Sequence, residues 1–149
     1  MKLYILNGPN LNMLGIREPN HYGKTTYSDL CDMITAHCNE KGIESVLYQS
    51  NHEGDLVDKI QEAYFKGADG IVINPGAYTH TSIALLDAVK STSLPTVEIH
   101  ISALETREAF RQVSFIREAC IETFTGEGVQ GYLHAIDDLY AYLRKEKKE

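Results

Sequence analysis

Short apolar runs of strand composition alternate along the whole chain with segments of helical period, and this alternation constrains the fold more than any other feature. The first run, Leu3 to Leu6 within residues 2–7, is bounded by Gly8 and Pro9, as a buried strand should be. Ile43 to Gln49, Gly70 to Asn74 and Pro95 to Ile101 read the same way, and residues 119–125 make a weaker fifth strand. Between them, Tyr27, Leu30, Cys31, Ile34 and Cys38 recur at helical spacing, with Thr26 and Asp29 in capping-box relation and Gly42 past the end. Leu56, Ile60, Ala63 and Tyr64 predict a helix stopped near Gly67, Ser82 to Lys90 a third, and residues 105–111 a short fourth. Val129, Tyr132, Leu133, Ile136, Leu139, Tyr140 and Leu143 form the clearest stripe. Strict alternation requires crossover connections, hence parallel strands with helices on both faces. The expected architecture is α/β: a flavodoxin-like, doubly wound, five-stranded parallel sheet, built by residues 1–149 as one domain without internal repeats.

The composition narrows the partners. At 149 residues the chain suits one core. No apolar run approaches the ~20 residues of a membrane span, and the amino terminus enters a strand without the sections of a signal peptide. A cytoplasmic protein away from membranes is expected. The net charge is −7, while Arg144 to Glu149 hold four cations and two anions, so the body is more negative still. Nucleic acid is not an expected partner, and a small anion needs a local cluster of cations to overcome the overall field. Three cysteines, Cys31, Cys38 and Cys120, lack paired spacing and read as buried thiols.

In doubly wound sheets ligands bind beyond the carboxyl ends of the strands. After the first strand come Asn7, Gly8, Pro9, Asn10, Leu11 and Asn12, with Arg17, Tyr22 and Gly23 beyond. The spacing fits neither a phosphate-cradling loop nor a dinucleotide fingerprint. A phenol loses its proton near pH 10 and becomes a usable base near neutrality only beside a fixed cation; Arg17 supplies one for Tyr22. A solvated polar turn is the alternative. After the third strand, residues 74–82 enter a helix start rich in hydroxyls, where His80 is either a ligand-binding group or a surface residue. Glu98, His100 and Ser102 alternate on one face of the fourth strand, so the carboxylate can orient the imidazole as a proton donor. His80, His100 and Glu98 also compose a three-ligand metal set, but the surrounding Asn, Tyr, Ser and Arg supply hydrogen bonds and charge in place of a Lewis acid. Arg107 and Arg111 share a helical face and bind an anion or pair with Glu105 and Glu108.

Together, residues 6–15 with Arg17, Tyr22 and Gly23, residues 49–54, residues 74–82 and residues 97–102 resemble type II 3-dehydroquinate dehydratase across essentially the whole chain. The resemblance implies reversible dehydration of 3-dehydroquinate to 3-dehydroshikimate, in the shikimate route or in quinate breakdown, with no cofactor and no metal. It implies Tyr22 as the base, Arg17 as its activator, His100 as the acid oriented by Glu98, and Asn12, through a water, as the group stabilising the enolate oxygen. Asn74, His80 and Arg111 are then expected to hold ring hydroxyls, and Ile101 and Ser102 the carboxylate. Arg107 is expected near the closing loop or its supporting shell. Asp87 corresponds to a residue reaching a neighbouring subunit's site, and trimers assembling into a homododecamer are expected. The chain departs from the family pattern at Ala103, where Asn is usual, and in a more polar fifth strand, whose Glu122 is a candidate intersubunit contact. The rival readings are a flavin or nucleotide binder and a non-catalytic oligomeric module.

Overall fold

The computed structural model describes residues 1–16, 20 and 24–148. Five strands, β1 (Lys2–Asn7), β2 (Glu44–Gln49), β3 (Gly70–Asn74), β4 (Thr96–His100) and β5 (Glu122–Thr125), pair in parallel in the order β2-β1-β3-β4-β5. Among the described residues four α-helices follow strands or precede them: α1 (Tyr27–Glu40), α2 (Glu53–Phe65), α3 (Ile83–Thr92) and α4 (Gln130–Glu146).

Successive strand residues point to opposite faces, and both faces are apolar, which is why helices cover both. Leu3, Ile5, Val72, Val97 and Ile99 pack against Leu30, Ile34 and Cys38 of α1 and Tyr132, Ile136 and Leu139 of α4. Tyr4, Leu6, Ile71 and Ile73 pack on the other face against Leu56, Ile60 and Ala63 of α2 and Leu85, Ala88 and Val89 of α3. On that second face β4 carries Thr96, Glu98 and His100 in place of apolar residues, and all three are buried.

Local signals set the helix ends. The Thr26 hydroxyl accepts from the Asp29 N–H, and the Asp29 carboxylate accepts from the Thr26 N–H, closing the expected capping box on α1. Ser82 caps α3 by accepting from the Leu85 N–H at 3.0 Å. At the opposite edge of the sheet from the strands' carboxyl ends, Asp69 accepts from the Lys2 backbone N–H at 2.7 Å and meets the Lys147 ammonium at 3.1 Å. One tail cation thus holds the start of β1, beyond favouring the end of a helix dipole.

Three local expectations change. Residues 105–111 are two separate 3-10 turns, Leu104–Thr106 and Ala109–Arg111, because Arg107 is extended between them and the Thr106 hydroxyl donates to the Ala103 carbonyl. The fifth strand starts only at Glu122, since Ile116–Ala119 form another 3-10 turn before it. Of the cysteines only Cys38 is fully buried; Cys31 and Cys120 are partly covered.

Two loops cross tightly where the site forms. The Gly8 N–H donates to the Asn74 carbonyl at 2.8 Å, and a Cβ at Gly8 would lie 2.4 Å from the Pro75 carbonyl oxygen. Gly8→Ala must therefore push the β1 and β3 loops apart, and it is expected to cost about 1–3 kcal/mol in urea unfolding.

Candidate active site

The carboxyl ends of β1, β3 and β4 surround a cavity of about 120 Å³. The register that aligns Asn7 with both Gln49 and Asn74 brings three amide side chains to one edge. Pro9, Asn10 and Leu11 line the cavity from β1, Asn74 and His80 from β3, and His100, Ile101, Ser102, Arg107 and Arg111 from the chain after and including the end of β4.

Below this wall Glu98 has no exposure to solvent. Its Oε1 takes His100 Nε2 at 2.6 Å, Thr79 Oγ1 at 2.8 Å and Ser114 Oγ at 2.7 Å; its Oε2 takes Arg117 Nε at 3.0 Å and Thr123 Oγ1 at 3.0 Å. The Thr79 and Ser114 oxygens are themselves 2.6 Å apart, so two hydroxyl protons serve three contacts. Burial alone would raise the Glu98 carboxyl, but the hydrogen bond and charge of His100, with Ser114 and Arg117, reverse this and hold it well below the usual carboxylate range. An ionised carboxylate only accepts, so His100 presents its Nε2–H to Glu98 and keeps Nδ1 as its remaining polar atom.

His80 is set oppositely. Its Nδ1 lies 2.6 Å from the Val113 carbonyl, which fixes the proton on Nδ1 and leaves Nε2 as an acceptor. Burial, with the charges of His100 and Arg111, lowers its proton affinity despite the Val113 bond, so the ring is neutral at neutral pH. Asn74 is oriented from two sides. Its Oδ1 accepts from the Gly76 N–H at 3.1 Å, and its Nδ2 donates at 2.8 Å to the hydroxyl of Tyr132, which donates to Asn7 Oδ1 at 2.6 Å. Burial, against the Asn74 bond, pushes the Tyr132 phenol far above its usual value, so it stays a donor.

Cationic charge collects on the β4 side. Arg111 Nε lies 2.8 Å from the Glu108 carboxylate, and Arg107 Nε lies 3.8 Å from the same oxygen while its Nη1 reaches Ser102 Oγ at 3.4 Å. Of the two readings of these arginines, pairing and anion binding, both have support: each contacts Glu108 and each lines the cavity. Among the described residues these two guanidinium groups share the Glu108 carboxylate at the cavity edge.

The sequence-expected residues thus divide. Asn74, His80, His100, Ile101, Ser102 and Arg111 meet at the cavity, and Glu98 supports it from beneath. Asn12 is exposed on the 3-10 turn Leu11–Met13 and contacts Gln49 Nε2 at 3.4 Å, beside the cavity wall and outside it. Asp87 is on the exposed side of α3, away from the cavity. Tyr22 and Arg17 lie outside the described residues. Among the described residues no three His, Cys, Asp or Glu side chains are grouped to hold a metal ion; His100 already spends a ring nitrogen on Glu98. Sequence reasoning missed Thr79, Ser114, Arg117, Thr123 and Tyr132. Tyr132 was legible only as one member of an apolar stripe, and Thr123 only as a polar residue in β5.

Comparison with known proteins follows the same lines. The family model described as Dehydroquinase class II matches residues 1–140. The 3-dehydroquinate dehydratase of Fusobacterium nucleatum is 52% identical over 147 residues, covering 97% of this chain and 100% of the relative. That of Clostridium acetobutylicum is 51% identical over 145 residues, covering 97% and 100%. Among solved structures, the type II dehydroquinase of Butyrivibrio crossotus is similar at a TM-score of 0.93 and 54% identity, covering 94% of this chain and 97% of that one. The type II dehydroquinase of Propionibacterium acnes has a TM-score of 0.90 at 36% identity, with coverage of 94% and 96%.

Glu98→Gln leaves His100 and Arg117 facing a neutral amide in a buried site and is expected to cost about 3–5 kcal/mol at neutral pH. Folding depresses the Glu98 carboxyl, so its contribution is complete above the ordinary glutamate value of ~4.3 and is lost as pH falls through the folded value. Urea unfolding across pH should therefore show the gap between native and variant narrowing below about pH 4.

Proposed function

The chain belongs to the class II dehydroquinase family, and from that membership we propose how its residues divide the work of the reaction. The reaction is the reversible elimination of water from 3-dehydroquinate to give 3-dehydroshikimate, a hydro-lyase step of the shikimate route.

Elimination beside a ketone poses three demands: a base for the α proton, a donor for the enolate oxygen, and an acid for the departing hydroxyl. The hydrogen bond of His100 to buried, ionised Glu98 at the cavity wall is the observation that carries the reading. His100 is the acid. Its Nε2–H stays on Glu98, so the transferred proton leaves from Nδ1. The carbon–oxygen bonding pair goes to the hydroxyl oxygen, which takes that proton and departs as water. Tyr22 is the base that removes the α proton, and the Arg17 guanidinium favours its phenolate; sequence motif and family membership support both assignments. Asn12 stabilises the enolate oxygen through a water, and its position beside the cavity supports an indirect contact.

Asn74, with one Nδ2–H beyond its bond to Tyr132, and His80, with Nε2 open as an acceptor, suit ring hydroxyls. Arg111 joins them from the cationic wall, and Ile101 and Ser102 take the substrate carboxylate beside Arg107. No cofactor enters the scheme. For assembly we carry the trimer and the homododecamer: the exposure of Asp87 on α3, away from its own cavity, is compatible with a role at a neighbouring subunit's site. The thiols Cys31, Cys38 and Cys120, none in a disulfide, support a reducing, cytoplasmic setting.

The product is a conjugated enone, so ultraviolet absorbance should rise when the protein receives 3-dehydroquinate. Tyr22→Phe and His100→Ala are each expected to lower turnover by about 10²-fold or more while retaining the native circular dichroism. Near-native rates in either variant would remove that residue from its role. Arg17→Ala weakens the phenolate, so the acidic limb of the kcat profile, where the base becomes protonated, should move to higher pH. An unmoved limb would leave Tyr22 without this activator.

A further inference from the structure

A buried carboxylate next to a proton donor creates a charge problem that the dyad alone does not solve. With His100 protonated, the Glu98–His100 pair is neutral; once the proton leaves, Glu98 keeps a negative charge with no exposure to water. A buried charge without a counterion is strongly unfavourable, so an isolated pair would resist giving the proton away.

The two carboxylate oxygens have different partners. Oε1 holds His100 with the Thr79 and Ser114 hydroxyls, and Oε2 holds Arg117 Nε and Thr123 Oγ1, each at 3.0 Å. Register makes Thr123 the β5 neighbour of Glu98, so a hydroxyl of the polar fifth strand faces this carboxylate. Hydroxyls solvate the anion without neutralising it. Among the described residues two cationic side chains bond Glu98: His100, whose charge comes and goes, and Arg117, whose charge is permanent.

We propose that Arg117 is a positioning residue for proton transfer: held on Oε2 of Glu98, its guanidinium balances the carboxylate so that His100 on Oε1 can part with its proton. Transfer then takes the three-membered cluster from one net positive charge to neutral, in place of taking a pair from neutral to one buried negative charge. Arg117 itself is turned partly to solvent, with 43% of its side chain exposed, on the 3-10 turn Ile116–Ala119. It can therefore be replaced without opening the core. Among the described residues the other titratable or charged groups facing the cluster are His80 from the turn after β3, Arg107 and Arg111 across the cavity, and Cys120. His80 and Arg111 form no ion pair with Glu98 among the described residues, and Arg107 lies 3.8 Å from the Glu108 carboxylate. The Cys120 thiol is pushed up to about 12 by burial and then by the Glu98 charge, so it is neutral and gives no compensation.

The inference rests on His100 as the acid, and the test separates the two. The imidazole signal of His100, assigned by its loss in His100→Asn, is titrated by NMR in the free protein for native, Arg117→Gln and Arg117→Lys. Glutamine keeps a donor without charge, and lysine keeps the charge. Arg117→Gln is expected to hold the His100 proton to a pH about one unit higher than native does, with Arg117→Lys close to native. The alkaline limb of kcat should move the same way, with kcat near neutrality falling a few-fold. Arg117→Gln titrating together with native, or Arg117→Lys displaced as far as Arg117→Gln, would overturn the proposal. A fall in kcat without movement of the titration would leave Arg117 a structural part only and overturn it as well. Turnover of His100→Ala, measured separately, decides whether His100 is the acid at all.

Discussion

One carboxylate inside a sheet organises the molecule's chemistry. Glu98 occupies a position on β4 where the same face of β3 carries Ile71 and Ile73, and it is as inaccessible as they are. A charge in such a place persists only when every lone pair is answered. The donors come from four separate pieces of chain: the turn after β3, the end of β4, the irregular stretch through Ser114 and Arg117, and β5. Assembling the sheet and fixing the orientation of the His100 ring are therefore one event. A fold that failed to bring β5 beside β4 would leave the anion short of partners and His100 without its fixed tautomer.

The same economy appears one strand away. Tyr132 reaches from α4 through the apolar layer to link Asn7 and Asn74, the last residues of two neighbouring strands. Its ring fills the core against Leu3 and Ile5, and its hydroxyl directs an amide into the cavity. Packing on one side of the sheet thereby sets the orientation of a polar group at its edge.

What was legible in the chain and what was not follows from distance along it. The β1 strand, the α1 capping box and the α4 stripe depend on residues within a few positions of one another, so period and cap chemistry reveal them. The Glu98–His100 pair is equally local, two residues apart on one strand face. The rest of the cage is not. Ser114 and Arg117 lie in a stretch with no sustained period, and only the sheet order brings them and Thr123 against Glu98. The expected helix over 105–111 is broken where Arg107 is extended, with its side chain at the cavity and its Nη1 at Ser102. Arg17 and Tyr22, paired by the chemistry of a phenol beside a cation and by the family resemblance, fall outside the described residues.

The carboxylate of Asp69 ties the beginning of the chain to its end, through the Lys2 amide and the Lys147 ammonium. Lys2 and Lys147 are thus neighbours on the side of the sheet away from the cavity mouth. A carrier, an affinity handle or a surface linker attached beside Lys2 or Lys147 stays clear of the cavity mouth. A short covalent bridge between these two residues would tie the start of β1 to the far end of α4 without crossing the cavity.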